Sequence, residues 1–213
     1  MIKTFITVIS ENKPEDLKPT RYIAPEDEKL FYDKEIKFPI LEAINAYAEN
    51  NDEIKIIAII NEENLNTVET YNNSFVPALE ELKAEKNLIG LDTSKIIKVT
   101  AKSDQGINAN LQLVEDLLAV IGDNEILHAC ITFGTKPLPI IIFMALNYIY
   151  KVKNNTDIET IVYGTRYSGD RSKFSIYDVT SLFYTNEMFM NLANAGVVDP
   201  VGKVKAMRET FED

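Results

Sequence analysis

Cysteine and histidine each occur once in 213 residues, as Cys130 and His128. A disulfide scaffold needs pairs and a Cys/His metal centre needs a cluster, so the chain predicts neither, and no metal or cofactor is implied. Both residues lie within an apolar segment, where a core position is the expected role. Uninterrupted apolar runs of about 18 residues are also missing. Even residues 138–150 are too few and include Asn147, so no membrane span is predicted. The start, Met1-Ile2-Lys3-Thr4, carries no signal-peptide cleavage pattern, and a cytoplasmic location is expected. Positive charge is scarce: a net charge of −11 argues against broad binding to duplex nucleic acid, but leaves room for one small anion in a local pocket. Neither GxxxxGK[ST] nor GxGxxG occurs, which removes the two commonest nucleotide fingerprints.

What is present describes a folded α/β protein. An apolar share of 46%, with 10 Tyr and 10 Phe, suits a globular core rather than a disordered chain. The carboxylates gather in 11–35, 49–63 and the tail, which read as solvated faces. Strands are expected at 2–9, 54–60, 95–100, 126–132 and 158–163, with a final strand-helix pair over 175–195. Helices are expected at 38–50, 64–86 with Pro77 as a kink, 108–121 and 138–150. The Ile-rich run at 54–60 suits a parallel strand buried on both faces. Residues 10–37, with Pro14, Pro19 and Pro25, read as a long polar loop, a type usually functional or partly disordered. Such alternation predicts a Rossmann-like, mostly parallel sheet with helices on both faces. It would fill residues 1–195, leaving 196–213 as a linker or short helix.

In such a sheet ligands sit beyond the carboxyl ends of the strands. Four segments are expected there: Ser10-Glu11-Asn12-Lys13, then Lys102-Ser103-Asp104-Gln105-Gly106 leading to Asn108, then Thr132-Phe133-Gly134-Thr135-Lys136-Pro137, and last Gly164-Thr165-Arg166-Tyr167. The third is the most informative. A Gly close to a Lys at a strand-to-helix turn, with Pro at the first helical positions, makes a phosphate-sized anion site from backbone N–H groups, a positive helix end and a mobile ammonium. Hydroxyls, amides and cations in the other loops suit ribose-phosphate, with Tyr167 or Phe133 available to stack on a base.

Ile131-Thr132-Phe133-Gly134-Thr135-Lys136-Pro137-Leu138-Pro139, an apolar helix, and then Ile161-Val162-Tyr163-Gly164 resemble the CRISPR-associated Rossmann-fold (CARF) family. Its corresponding segment typically reads D-[IV]-T-H-G-[FY]-R-x-[LM]-P. Thr132, Gly134, Leu138 and Pro139 match, and Lys136 stands where a cation is usual. Cys130 replaces the acidic residue and Phe133 the His. Ser175-Ile176-Tyr177-Asp178-Val179-Thr180 is similar to the family's distal strand.

The resemblance implies a homodimer binding cyclic tetra- or hexa-adenylate, a second messenger of type III CRISPR antiviral defence, across its two-fold axis. It implies that Lys136, Gly134 and Thr135 hold phosphates, that Ser10 and Asn12 face the ribose-phosphate ring, and that Gln105 and Asn108 read adenine edges. A sensor would pass the signal to a partner protein or effector domain. A ring nuclease would instead cut the ligand without metal, by orientation and charge stabilisation from Ser10 and Lys136. A nucleotide-cofactor oxidoreductase is the weakest reading, because GxGxxG is absent after the first strand.

Overall fold

Strand β1 (Ile2–Val8) lies inside a seven-stranded sheet because both of its faces are apolar or hydroxylic, and Thr4 to Val8 are all buried. The computed structural model describes residues 1–166, 170, 173–196 and 198–210. After β1 come β2 (Tyr22–Ile23), α1 (Ile40–Tyr47), β3 (Glu53–Ile60), α2 (Leu65–Thr70), α3 (Val76–Lys86) and β4 (Ile97–Thr100). They are followed by α4 (Ile107–Val120), β5 (Glu125–Cys130), α5 (Pro137–Val152), β6 (Asp157–Arg166) and β7 (Phe174–Asp178). The strand order is β2-β7-β6-β5-β1-β3-β4, and every pairing is parallel except the β6–β7 hairpin. The expected Rossmann-like α/β architecture is therefore the observed one.

Period-2 alternation divides the strand side chains between two helical layers. Phe5, Ile9, Ile56, Ala58 and Ile60 share one core with Ile40 and Ile44 of α1 and Leu79 and Leu82 of α3. On the other side α4 and α5 pack together and bury Leu113, Leu117, Leu138, Ile142 and Leu146. At the amino edge the Glu125 carboxylate fastens three strands. It accepts from Thr4 Oγ1 at 2.5 Å, pairs with Lys55 and receives the Gly122 N–H at 2.6 Å.

Three expectations need correction. Residues 10–37 are an ordered cover rather than a featureless loop: β2 pairs with β7, Thr20 bridges Ile36, and Leu17, Tyr22, Leu30 and Ile36 are buried. Apolar residues spaced singly among acids hide that role from a periodicity reading. The helix over 64–86 is interrupted before Pro77, by a wide π-type turn at Tyr71–Phe75, and Pro77 lies in the first turn of α3, where its missing N–H costs little. Finally, Gly164 and Arg166 are not in a loop. β6 continues through them because they pair with Ile176 and Phe174 of β7.

By its contacts the chain divides into Met1–Thr180 and Ser181–Asp213. Helix α6 (Thr180–Asn194) runs through most of the second unit and α7 (Pro200–Thr210) follows Gly196, whose φ is +68°. Within that unit Phe189, Leu192, Pro200 and Val204 line a hollow of about 220 Å³. No helix among the described residues is long and apolar enough to cross a membrane.

Candidate functional site at the carboxyl edge

The chain leaves β1 toward one face of the sheet and leaves β5, its immediate neighbour, toward the other. This is the topological switch point, where diverging loops open a crevice above the strand ends. The turn after β5 lies across it. Gly134 has φ +99°, and a Cβ there would stand 2.6 Å from Leu138 Cδ1 and 3.1 Å from Val8 Cγ1. Only glycine combines that backbone with so close an approach to the end of β1.

The turn is held from below and open above. Thr132 Oγ1 accepts the Gly164 N–H at 2.8 Å and the Cys130 thiol at 3.3 Å, which binds the turn to β6. Thr135 accepts the Leu138 N–H at 2.9 Å, and Lys136 takes helical dihedrals just ahead of Pro137. The N–H groups of Gly134, Thr135 and Lys136 have no acceptor among the described residues. Pro137 and Pro139 remove two donors from the first turn of α5, so the donors without acceptors among the described residues are these three loop amides rather than those of the helix proper. Lys136 is exposed and has no carboxylate partner among the described residues.

The other loops meet through Asn61, a residue the sequence reading passed over although it follows β3 directly. Its Nδ2 donates to Glu11 Oε1 and to Ser103 Oγ, each at 3.1 Å, joining the loops after β1, β3 and β4. Thr70 of α2 adds a second missed contact, its hydroxyl donating to the Asn12 carbonyl at 2.6 Å. Ser10 is buried, and its Oγ accepts the Asn12 N–H at 3.2 Å to close the turn. Gln105 and Asn108 are exposed; the Gln105 carbonyl accepts from Asn110 Nδ2 at 3.1 Å, and Gly106 donates to Asp104 Oδ1 at 2.8 Å as it leads into α4.

The structure thus gathers Ser10, Glu11, Asn12, Ser103, Gln105 and residues 132–137 along one edge. It does not leave Phe133 free for stacking: the ring is half-buried, 6.2 Å from Phe38 in an edge-to-face contact. Gly164 is buried and Arg166 lies over Phe174 at 5.7 Å. Tyr167 lies outside the described residues.

Charge is divided along the edge. Lys136 stands at the α5 end, where Lys102 and Asp104 line a crevice with Thr135 and Pro137, whereas Glu11, Glu62 and Glu63 surround the Asn61 end, with Glu63 accepting the Ser103 N–H at 3.2 Å. One end suits phosphate, and the other offers acceptors for amino groups. No cluster of His, Cys, Asp and Glu fit to hold a metal occurs among the described residues. The crevice between the Lys102–Gln105 loop and Thr135–Pro137 measures only about 20 Å³, room for a water-sized group. A roomier hollow of about 280 Å³ lies elsewhere, between Tyr32, Lys37 and α3, and shares no residue with the edge.

Three buried ionisable groups lie in the core nearby. His128 is stacked on Phe5 with ring centroids 4.5 Å apart and touches Tyr47, and burial pushes its pKa down to about 3. Glu42 of α1 is fully buried, neither carboxyl oxygen has a partner in good hydrogen-bond geometry among the described residues, and burial outweighs the nearby Tyr32 backbone N–H to push its pKa up to about 9. Burial also raises the Cys130 thiol, leaving it an unreactive core group. No protein-family model matches the chain, and a search of curated proteins finds no match either.

Proposed function

We propose that this protein is a CARF-type sensor that binds a cyclic oligoadenylate at the carboxyl edge of its sheet, as a homodimer with the ring lying across the two-fold axis. The observation that carries the reading is the turn after β5: three consecutive N–H groups at 134–136 and the Lys136 ammonium, none with a partner among the described residues, at the switch point of the sheet. Backbone amides and an ammonium together make a phosphate cradle. The small crevice supports a shared site, since the hollow beside the turn measures about 20 Å³ and a ring of nucleotides needs a second wall. A two-fold axis supplies that wall and presents each donor twice to a ligand with repeated phosphates.

Sensing is favoured over ring cleavage by the state of Ser10, which is buried with its oxygen committed to the Asn12 N–H. The bound ring stays intact and its occupancy alters the dimer, which signals to a partner protein or effector domain. The edge would divide the work: Lys136 and the turn amides on phosphate, the Glu11 and Glu63 carboxylates on the exocyclic amines of adenine. Calorimetric titration with cyclic tetra-adenylate and cyclic hexa-adenylate, against linear oligoadenylate as control, tests the reading. Saturable binding of one ring with a stoichiometry of one per two chains is the expected result.

A further inference from the structure

The hollow of about 280 Å³ beneath the 10–37 cover lies near the lower end of small-molecule pockets, a size that suits a ligand as small as an amino acid. Tyr32 to Lys37 form its cover side, and the wide turn before α3 with the first turns of that helix forms the other. In the turn the Val76 N–H reaches back five residues to the Tyr71 carbonyl, and Asn73 and Ser74 line the hollow. π-type turns of this kind are frequent at functional sites.

The polar groups around the hollow are left over rather than paired. Ser74 is only 8% exposed, yet its hydroxyl has no hydrogen-bond partner among the described residues. Glu35 and Glu81 form no ion pair among them either. Lys37 is half-buried; it gives one N–H to the Pro14 carbonyl at 2.9 Å and meets no carboxylate among the described residues, although the chain holds 33 carboxylates to 22 cations. Lys34, by contrast, is taken by Glu85. Buried Ile36, Leu41 and Leu82 supply an apolar floor. A purely anionic ligand meets two like charges here, and a purely cationic one leaves the Lys37 ammonium half-buried and unmatched. A ligand that carries both charges on an apolar body satisfies every group.

We infer that this hollow is a second ligand site, and that it takes a free amino acid with an apolar side chain. The ligand carboxylate sits on Lys37, its ammonium on Glu81 and Ser74, and its side chain on the floor. Occupancy reaches the carboxyl edge through two bonds. Lys37 holds the Pro14 carbonyl, and Thr70, the residue just ahead of the π-type turn, holds the Asn12 carbonyl at 2.6 Å. Both carbonyls belong to the segment that follows β1. An ammonium has three donors, so Lys37 keeps Pro14 while it binds the ligand, and the segment is fixed between its two anchors. The amino acid thereby stiffens one rim of the edge, whatever binds there.

Calorimetric titration with L-leucine, L-methionine and L-phenylalanine tests the site, beside isocaproate and isoamylamine, which keep the leucine body with one charge each. At least one amino acid is expected to saturate at one per chain, and to bind roughly tenfold or more tightly than either single-charge analogue. Lys37→Met and Glu81→Gln should each weaken that binding by a similar factor, with the circular dichroism spectrum unchanged. Hydrogen exchange of the Asp16 and Leu17 amides, which close on the Lys13 carbonyl, should slow when the amino acid is bound. No binding of the three by folded protein, equal binding of a single-charge analogue, or an affinity indifferent to both substitutions would each overturn the site. Unchanged exchange at Asp16 and Leu17 would overturn its link to the edge. No cyclic adenylate enters the experiment, so its outcome is independent of the reading of the carboxyl edge.

Discussion

The N–H of Gly164, inside β6, donates to the Thr132 hydroxyl at 2.8 Å, so a side chain in the turn after β5 completes the neighbouring strand. The same hydroxyl receives the Cys130 thiol at 3.3 Å, which fixes the orientation from which the chain proceeds to Gly134 and Lys136. Thr132→Val keeps the shape and removes the acceptor, leaving a buried N–H unpaired at a cost of about 1 kcal/mol or more. Thermal denaturation should show the loss, and amide exchange at Gly164 should accelerate. An unchanged exchange rate would mean that the hydroxyl does not hold the turn.

Gly134 is the most restrictive position of the turn. An alanine must accept φ +99° and also displace Leu138, whose Cδ1 would stand 2.6 Å from the new Cβ. Gly134→Ala is expected to lose roughly 1–3 kcal/mol of stability, the range for a forced backbone conformation. A denaturant midpoint identical to the wild type would show that the turn adopts another shape.

Lys136→Ala leaves the fold untouched, because the side chain is exposed and unpaired among the described residues. Binding of the cyclic ligand should weaken by roughly 1.5–3 kcal/mol, the range for a charge-assisted hydrogen bond, and its salt dependence should decrease. Unaltered affinity in a calorimetric titration would move the phosphate site elsewhere.

Two of the buried ionisable groups predict opposite pH trends. His128 is held neutral: its folded pKa of about 3 lies below the ordinary value of 6.5, so the unfolded chain binds the extra proton between them. Glu159, which the β5–β6 register skips, stands 3.5 Å from His128 Nε2, but is 41% exposed and too well solvated to reverse this. Stability from this group is complete above pH 6.5 and falls as pH drops toward 3, by at most about 5 kcal/mol. Glu42 is held protonated, with a folded pKa of about 9 against 4.5, so the fold keeps a proton that the unfolded chain releases. Its contribution is complete below pH 4.5 and is lost as pH rises toward 9, at most about 3 kcal/mol by pH 7. Urea titrations across pH should show Glu42→Gln flattening the alkaline limb and His128→Phe the acid limb. Identical slopes for variant and wild type would sink the assignment.

How far the edge could be read in advance follows from which interactions are local. The Ile run of β3 and the four-spaced apolar residues of α4 and α5 declare their elements within single segments, and the alternation of strands and helices fixes a parallel sheet. Gly134, Thr135 and Lys136 are legible for the same reason, being three residues of one turn. Asn61 is not, because its value lies in reaching Glu11 and Ser103, 50 and 42 positions away. The hairpin extension of β6 through Gly164 and Arg166 depends on pairing with β7, so the segment read as a loop became a strand. Phe133 reads as a free aromatic within its own segment, but Phe38, 95 positions away, packs against it.

Ser10 distinguishes sensing from cleavage. In a sensor, Ser10→Ala should change affinity by about 0.5–1.5 kcal/mol through the lost Asn12 contact, and neither protein should form product. In a ring nuclease the substitution would slow turnover by more than it weakens binding. Chromatography of long incubations, run beside the titrations, reads both quantities.

The most direct test of the central claim is a calorimetric titration of the wild-type protein with cyclic tetra-adenylate and cyclic hexa-adenylate, each recovered afterwards and chromatographed. The account predicts saturable binding of at least one of the two, at one ring per two chains, with the ring recovered intact. No binding of either ring by folded, dimeric protein would contradict it.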